Sequence, residues 1–413
     1  MTRVLVTGMG VVSSLGLGRE AFWDGIVAGR KGFSTVESFD TDGLDRSVAG
    51  EVKGFRARDF LTSAEARRTG RCSAFALAGA RMAIEDAKLT QEQLAGERTS
   101  VIVGTTMGEA DVIGRLEDVW IRQGTAALDA AKLPLYGTTL LPIHLARAFG
   151  ARGMVQALPA ACAAGNYAIA FAADLIRSGR ADVVITGASE LLQKHQFAGF
   201  VRLGAVAPDR CQPFDKNRRG IIIGEGSAIL VLESEAHAVR RGAAVLAEVG
   251  GCGLACDAHH ITRPHPEGAG SLAAMRDAIA RSGITADQVD FVNAHGTGTQ
   301  ANDKIESHVV RQVFGDRLVP VSSLKSMIGH CMGAASALEA VACVMTVQTG
   351  VYPPTVSFET PDPECPVNLV ANRAALGRAD VVLNNSLAFG GYDAVVTFAR
   401  PGVLPEPRPS LYA

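Results

Sequence analysis

Apolar positions recur along this chain in short unbroken runs, separated by longer stretches of helical period. Residues 3–7 alternate as a strand, while 100–104 (SVIVG) and 182–186 (DVVIT) are nearly continuous β-branched or apolar runs. A strand with one wet face would alternate, so continuous runs predict strands covered on both faces. Further strands are expected at 154–158, 220–232, 245–249, 289–293, 318–321, 381–385 and 394–398. Helical period appears at 20–27, 63–87, 111–123, 233–241, 270–281, 303–314 and 333–349. The most distinctive stretch is 157–179, ALPAACAAGNYAIAFAADLIRSG, where Pro159 and Cys162 lead into an almost uncharged helix that stops at Gly179. Strands alternating with helices predict an α/β protein. The order of elements after residue 244 repeats the kind seen before it, so two halves, 1–243 and 244–413, are expected. The Pro-rich end, 401–413, is expected to be peripheral.

Composition narrows the function classes. At 413 residues the chain is too long for one simple core, and 47% apolar with 20% charged residues describes a well-packed soluble protein. A net charge of −2 gives no general attraction to nucleic acid or anionic membrane. No uncharged apolar run reaches spanning length, and MTRVLVTGMG lacks a leader pattern, so a cytoplasmic protein is expected. Its eight cysteines are then expected to be thiols. Cys252, Cys256, Asp257, His259 and His260 offer zinc-type donors without a second matching pair, and no metal is expected. The glycines after the first strand have the wrong spacing for a dinucleotide fingerprint.

Four stretches carry candidate chemistry. Cys162 stands at a helix start, where unpaired N–H groups and the dipole are expected to favour a thiolate. Buried free cysteines are also common core residues, so Cys162 alone decides nothing. The segment 293–299, NAHGTGT, sets His295 on a glycine-rich loop after a strand, and 322–335, SSLKSMIGHCMGAA, carries Lys325 and His330. The segment 385–393, NSLAFGGYD, has a double glycine that lets backbone bend closely. A poised cysteine with two loop histidines meets the needs of thiol-based acyl transfer.

With those stretches in view, the chain resembles the β-ketoacyl-acyl carrier protein synthases. These are the type II elongating condensing enzymes of fatty acid synthesis and the related ketosynthases of type II polyketide pathways. The resemblance runs through VLVTGMGVVSSLG, PAACAAG, PFDKNRRG, GEGSAILVLE, NAHGTGT, KSMIGH and NSLAFGG, nearly the whole chain. It implies a thiolase-like fold, a five-layered αβαβα arrangement of two duplicated halves with the active site at their junction. It also implies a dimer, either of identical chains or with a ketosynthase-like subunit.

The activity implied is an acyltransferase reaction: decarboxylative condensation of malonyl-acyl carrier protein with an acyl chain held on Cys162. By the same resemblance His295 and His330 are its catalytic partners, Lys325 orients His330, and Glu339 is the acid near the lysine. Thr297 and Thr299 would hold the phosphopantetheine arm, Phe200 would adjoin the acyl chain, and Phe389 would be the gate. Backbone N–H groups of Cys162 and Phe389 are the expected oxyanion donors. No bound cofactor is expected, because the substrate rides on the phosphopantetheine of acyl carrier protein. Arg67, Arg68 and Arg71, with Arg202 as an addition, form the candidate docking patch for that acidic partner.

The alternative is a non-condensing partner subunit of the chain-length-factor type, a class that typically lacks the nucleophile. The chain also departs from the family pattern. Where G-F-G-G-T-N is usual it has Ala388, Phe389, Gly390, Gly391, Tyr392 and Asp393, and Gly204 stands where an arginine is common. These positions adjoin the expected acyl pocket and imply specialised, secondary-metabolite work on an unusual chain.

Overall fold

The computed structural model of the chain describes residues 2–406. Its main strands in chain order are β1 (Val4–Ser13), β2 (Thr99–Gly104), β3 (Val155–Leu158), β4 (Val183–Glu190) and β5 (Gly226–Ser234). A second set follows: β6 (Ala247–Cys256), β7 (Phe291–Asn293), β8 (Pro320–Ser322), β9 (Asn368–Leu369), β10 (Val381–Leu387) and β11 (Tyr392–Ala399).

The first five lie in the order β3-β2-β4-β5-β1, and the second set in the order β8-β7-β10-β11-β6, with β9 beyond β8. Directions match as well. β2 is parallel to β3 and β4, as β7 is to β8 and β10, and the β4-β5-β1 and β10-β11-β6 pairings are antiparallel. Equal order and direction through five strands is a duplication visible in topology, although residue-by-residue similarity is faint. The two sets join where Val4 and Val6 of β1 pair antiparallel with Val249 and Ala247 of β6.

Period-two alternation decides which layer each side chain meets. Val184, Leu230 and Leu232 face a central helix layer, while Val183, Ile185, Ile229 and Val231 face an outer one. In the second half Val382, Val396 and Phe398 face the centre, and Val381, Leu383 and Val395 face outward. The outer layer of the first half contains α1 (Arg71–Ala87), and the central layer is α2 (Ala164–Arg177) with α5 (Ala335–Thr349). The second outer layer is α3 (Ala269–Arg281) and α4 (Gln300–Phe314). This is the αβαβα sandwich expected.

Close approaches explain two of the early glycines. A Cβ on Gly8 would stand 2.1 Å from the Ala83 carbonyl of α1, and one on Gly10 2.0 Å from that of Gly79. The glycine pair therefore serves helix–strand packing. The stretch Met332–Thr349 is apolar and long enough to cross a membrane, yet 83% of it is buried inside the protein, as befits a core helix that is hydrophobic all round.

Three expectations need correction. The helix expected at 63–87 is two helices, Ser63–Ala66 and α1, broken at 67–70. The break follows from Gly70, where a Cβ would lie 1.9 Å from the Glu109 carboxylate, which accepts the N–H groups of Cys72 and Ser73 at the start of α1. The strand expected from residue 220 begins at Gly226, because 221 and 223 make only isolated bridges, to 206 and 330. The end of the chain is not wholly peripheral: Leu404 is buried against the second half's core, while 407–413 lie outside the described residues.

Candidate active site

Cys162 follows β3 on a tight 3-10 turn, Ala161–Ala163, immediately ahead of α2. The turn requires Ala161 at φ 46, a left-handed conformation that costs a non-glycine residue about 1–2 kcal/mol. Strain of that kind persists only where neighbours enforce it. Here Ser336 and Ser386 both donate to the Cys162 carbonyl, and Asn166 in α2 donates to the Asn384 and Ala394 carbonyls of β10 and β11. The thiol is thereby fixed from the other half of the chain.

The electrostatics reverse the expectation of a favoured thiolate. Burial pushes the Cys162 thiol up to about 11, opposed by Lys325 and by the backbone N–H groups of Phe389 and Cys162 itself. Desolvation outweighs the helix end, so the resting group is a neutral thiol. Both N–H groups reach the sulfur itself.

His295 lies just past β7 and is aimed by its backbone. Its N–H and that of Gly296 donate to Glu306 of α4 at 2.6 and 2.7 Å, and Asn385 donates to the same carboxylate at 2.6 Å. Lys325 Nζ donates to the His295 carbonyl at 2.6 Å, pairs with Glu339 at 2.5 Å, and stands 3.3 Å from His295 Nδ1. Lys325 therefore orients His295, contrary to the expectation that it orients His330. His330 takes its orientation from backbone: the Met332 N–H donates to its Nδ1 at 3.1 Å.

Both contacts fix tautomers. An ammonium beside His295 Nδ1 and an N–H on His330 Nδ1 leave the Nε2 of each ring as the N–H donor. Burial, and then Lys325, hold both imidazoles well below their usual range, so both are neutral. The rings meet edge to face with centroids 5.4 Å apart.

Cys162, His295, His330, Thr297, Thr299, Phe200 and Phe389 line one cleft of about 1010 Å³, mouth included. The two threonine hydroxyls bond each other at 2.9 Å. Phe389, 37% exposed, stacks on Phe200 with centroids 5.7 Å apart, and its turn needs Gly390 and Gly391 at φ 83 and 77. Lys325 and Glu339 are wholly buried behind the histidines.

Of the arginine patch, Arg67, Arg68 and Arg202 are exposed. Arg71, whose side chain is 38% exposed, pairs with Glu225 at 3.2 Å, and its guanidinium lies 4.6 Å from the Phe75 ring centroid. All eight cysteines are free thiols. Among the described residues no group of three or more His, Cys, Asp or Glu side chains is arranged to hold a metal ion.

Glu306 escaped the sequence reading. Its signal was an acid with Asp303 on the α4 face that also carries Val309 and Val310, where the helical period calls for apolar residues. Glu190 escaped too, and it accepts the Thr106 N–H at 2.6 Å and that of Gly333 at 3.3 Å, tying the turn ahead of α5 to the first half.

A five-layer duplication with a thiol and two neutral, donor-oriented imidazoles at its junction defines the thiolase-like acyltransferases. Comparison with known proteins narrows this. Residues 1–238 match the model of the β-ketoacyl synthase N-terminal domain and 246–359 that of the C-terminal domain, and the chain belongs to the β-ketoacyl synthase family of condensing acyltransferases. It is 36% identical over 407 residues to a 3-oxoacyl-[acyl-carrier-protein] synthase 2 of Synechocystis sp., covering 96% of this chain and 98% of that one. Among solved structures it matches a chain of the ishigamide ketosynthase/chain length factor at TM-score 0.94 and 40% identity, covering 97% and 100%. It also matches a chain of a complex in which a type II polyketide synthase acyl-carrier protein meets its ketosynthase bound to the hexaketide. That match has a TM-score of 0.89 and 30% identity, covering 97% and 99%.

Proposed function

We propose that the chain condenses an acyl group held on Cys162 with malonyl-acyl carrier protein, releasing carbon dioxide and a β-ketoacyl-acyl carrier protein. The observation that carries this reading is the pair of Nε2–H donors, held neutral in the cleft of the thiol. Cys162 Sγ attacks the acyl thioester, and its proton leaves as the bond forms, ending on the departing pantetheine thiolate. The Cys162 and Phe389 N–H groups stabilise the oxyanion of that step. When the malonyl carboxylate then departs as carbon dioxide, negative charge gathers on the thioester oxygen. His295 and His330 donate to it, and the carbanion attacks acyl-Cys162 and expels the sulfur, which regains a proton from solvent. Thr297 and Thr299 hold the pantetheine arm, Phe389 gates the thiol, and no resident cofactor is needed.

The acidic carrier docks on Arg67 and Arg68, with Arg202 beside the cleft. The chain works as a dimer, of identical chains or with a ketosynthase-like subunit, and each half, 1–243 and 244–413, acts as a structural unit. The partner-subunit alternative is disfavoured by the presence of Cys162 and both histidines. The test is intact-protein mass spectrometry after incubation with a panel of acyl-carrier proteins. A mass increase mapping to the Cys162 peptide and absent from Cys162→Ala is expected; no adduct with any acyl group would overturn the reading.

A further inference from the structure

One cation at the cleft of Cys162 has no part in the condensation. It is Arg263, on the segment 257–268 that also brings Asp257, Thr262 and Pro264 to the cleft wall. No lysine and no second arginine lines that cleft among the described residues. Gly204, between the lining residues Leu203 and Ala205, brings no side chain. Depth orders the polar groups. Cys162, His295, His330 and Thr297 are buried, Thr299 and Thr262 are half-buried, and Arg263 is exposed. The cleft therefore runs from a buried thiol, past hydroxyl groups, to a guanidinium at its mouth.

Backbone holds Arg263 in that place. The N–H groups of Thr262 and Arg263 both donate to His260 Nδ1, at 3.0 and 3.2 Å, which closes a tight turn. Two further bonds tie this segment to the turn of Phe389: Gly390 donates to the Ile261 carbonyl at 2.7 Å, and Asp257 to the Gly391 carbonyl at 2.9 Å. The guanidinium itself makes, among the described residues, no ion pair and no hydrogen bond. Two acids line the same cleft, and neither pairs with it. Asp257 accepts the N–H groups of His265 and Gly270 at 2.7 and 3.1 Å, and Asp393 is buried.

The arm that enters this cleft has one charge of its own. Phosphopantetheine carries the acyl thioester at one end, neutral amides and hydroxyls along its length, and at the other end the phosphodiester that joins it to the carrier. With the thioester at Cys162, the phosphate end faces the mouth. A planar guanidinium offers paired N–H donors that match phosphate oxygens. We propose that Arg263 binds the phosphodiester of the arm and so sets how deep the arm sits in the cleft. This role rests on the reading of Cys162 as the acyl carrier. It places part of the electrostatic recognition of substrate on the arm, apart from the protein surface of the carrier.

The experiment measures KM for Cys162 acylation by two thioesters of one acyl group, acyl-phosphopantetheine and acyl-pantetheine, which differ only in the phosphate. The free phosphate monoester stands in for the diester of the carrier-bound arm. In the wild type KM is expected to be about fivefold lower for the phosphorylated arm at low ionic strength, the upper range for an exposed charge pair. That preference should fade as salt screens it. Arg263→Ala is expected to abolish the preference, Arg263→Lys to keep part of it, and Arg263→Glu to invert it. Each comparison is made within one variant, so a general loss of folding or activity cancels. A wild type without preference, or a preference that survives in Arg263→Ala and Arg263→Glu, would overturn the proposal. Thermal melting gives a readout independent of acylation. Phosphopantetheine is expected to raise the Tm of the wild type more than pantetheine does at equal concentration, and the two are expected to act alike on Arg263→Ala. Absence of acylation in the wild type with either thioester would overturn the reading of Cys162 instead. The melting comparison would still decide Arg263, since equal shifts in the wild type would overturn its role.

Discussion

At the scale of single residues, the proposed condensation turns on which imidazole nitrogen carries the hydrogen. Lys325 fixes His295, and a backbone N–H fixes His330. His295→Ala is expected to acylate Cys162 normally while decarboxylation of malonyl-carrier protein falls by about 10²–10³, the usual loss for one oxyanion donor. Lys325→Ala should lose decarboxylation as well, by freeing the His295 ring, and should lower stability by about 3–5 kcal/mol by stranding the buried Glu339. Paired acylation and decarboxylation assays with thermal melts check both, and normal decarboxylation by His295→Ala would contradict the division of roles. Cys162, His295 and His330 were legible in the sequence, because each sits in a motif that local backbone imposes. Which imidazole Lys325 orients was not, since that depends on which ring lies nearer across the fold. The thiol's upward shift was also hidden: a helix start can be read locally, but the burial that outweighs it cannot.

At the scale of elements, strand positions were legible from continuous apolar runs, and the ends of α3 and the last turn of α4 from their period, while α4 starts at Gln300, three residues earlier than its period predicts. The break at 67–70 was not legible, because the residue that enforces it, Glu109, approaches Gly70 from a distant loop. That break matters to docking. It leaves Arg67 and Arg68 exposed on a turn, while Arg71, partly exposed, pairs with Glu225. Reversing the charge of Arg67 and Arg68 together is expected to raise KM for carrier-bound substrate by about tenfold, largely through slower association, and to leave acyl-pantetheine kinetics unchanged. Steady-state kinetics with both substrates check this, and equal effects on both would remove the patch from docking.

At the scale of the whole molecule, the duplication builds the site. The first half supplies Cys162 from the end of β3, and the second supplies His295, His330 and Phe389 from loops beside β7, β8 and β10. Buried asparagines lock the two together: Asn384 bridges Asn166 of one half and Asn293 of the other. Alternating strands and helices announced an α/β chain, and the repeated element order hinted at two halves. The shared strand order became visible only when the pairings were known, because pairing joins residues far apart in sequence. The most direct measurement starts from enzyme acylated on Cys162, adds malonyl-carrier protein, and follows carbon dioxide and carrier-bound product together. The account predicts equal amounts of carbon dioxide and of a β-ketoacyl-carrier protein two carbons longer than the loaded chain. Carbon dioxide released without that product, or an acyl chain returned unextended, would contradict it.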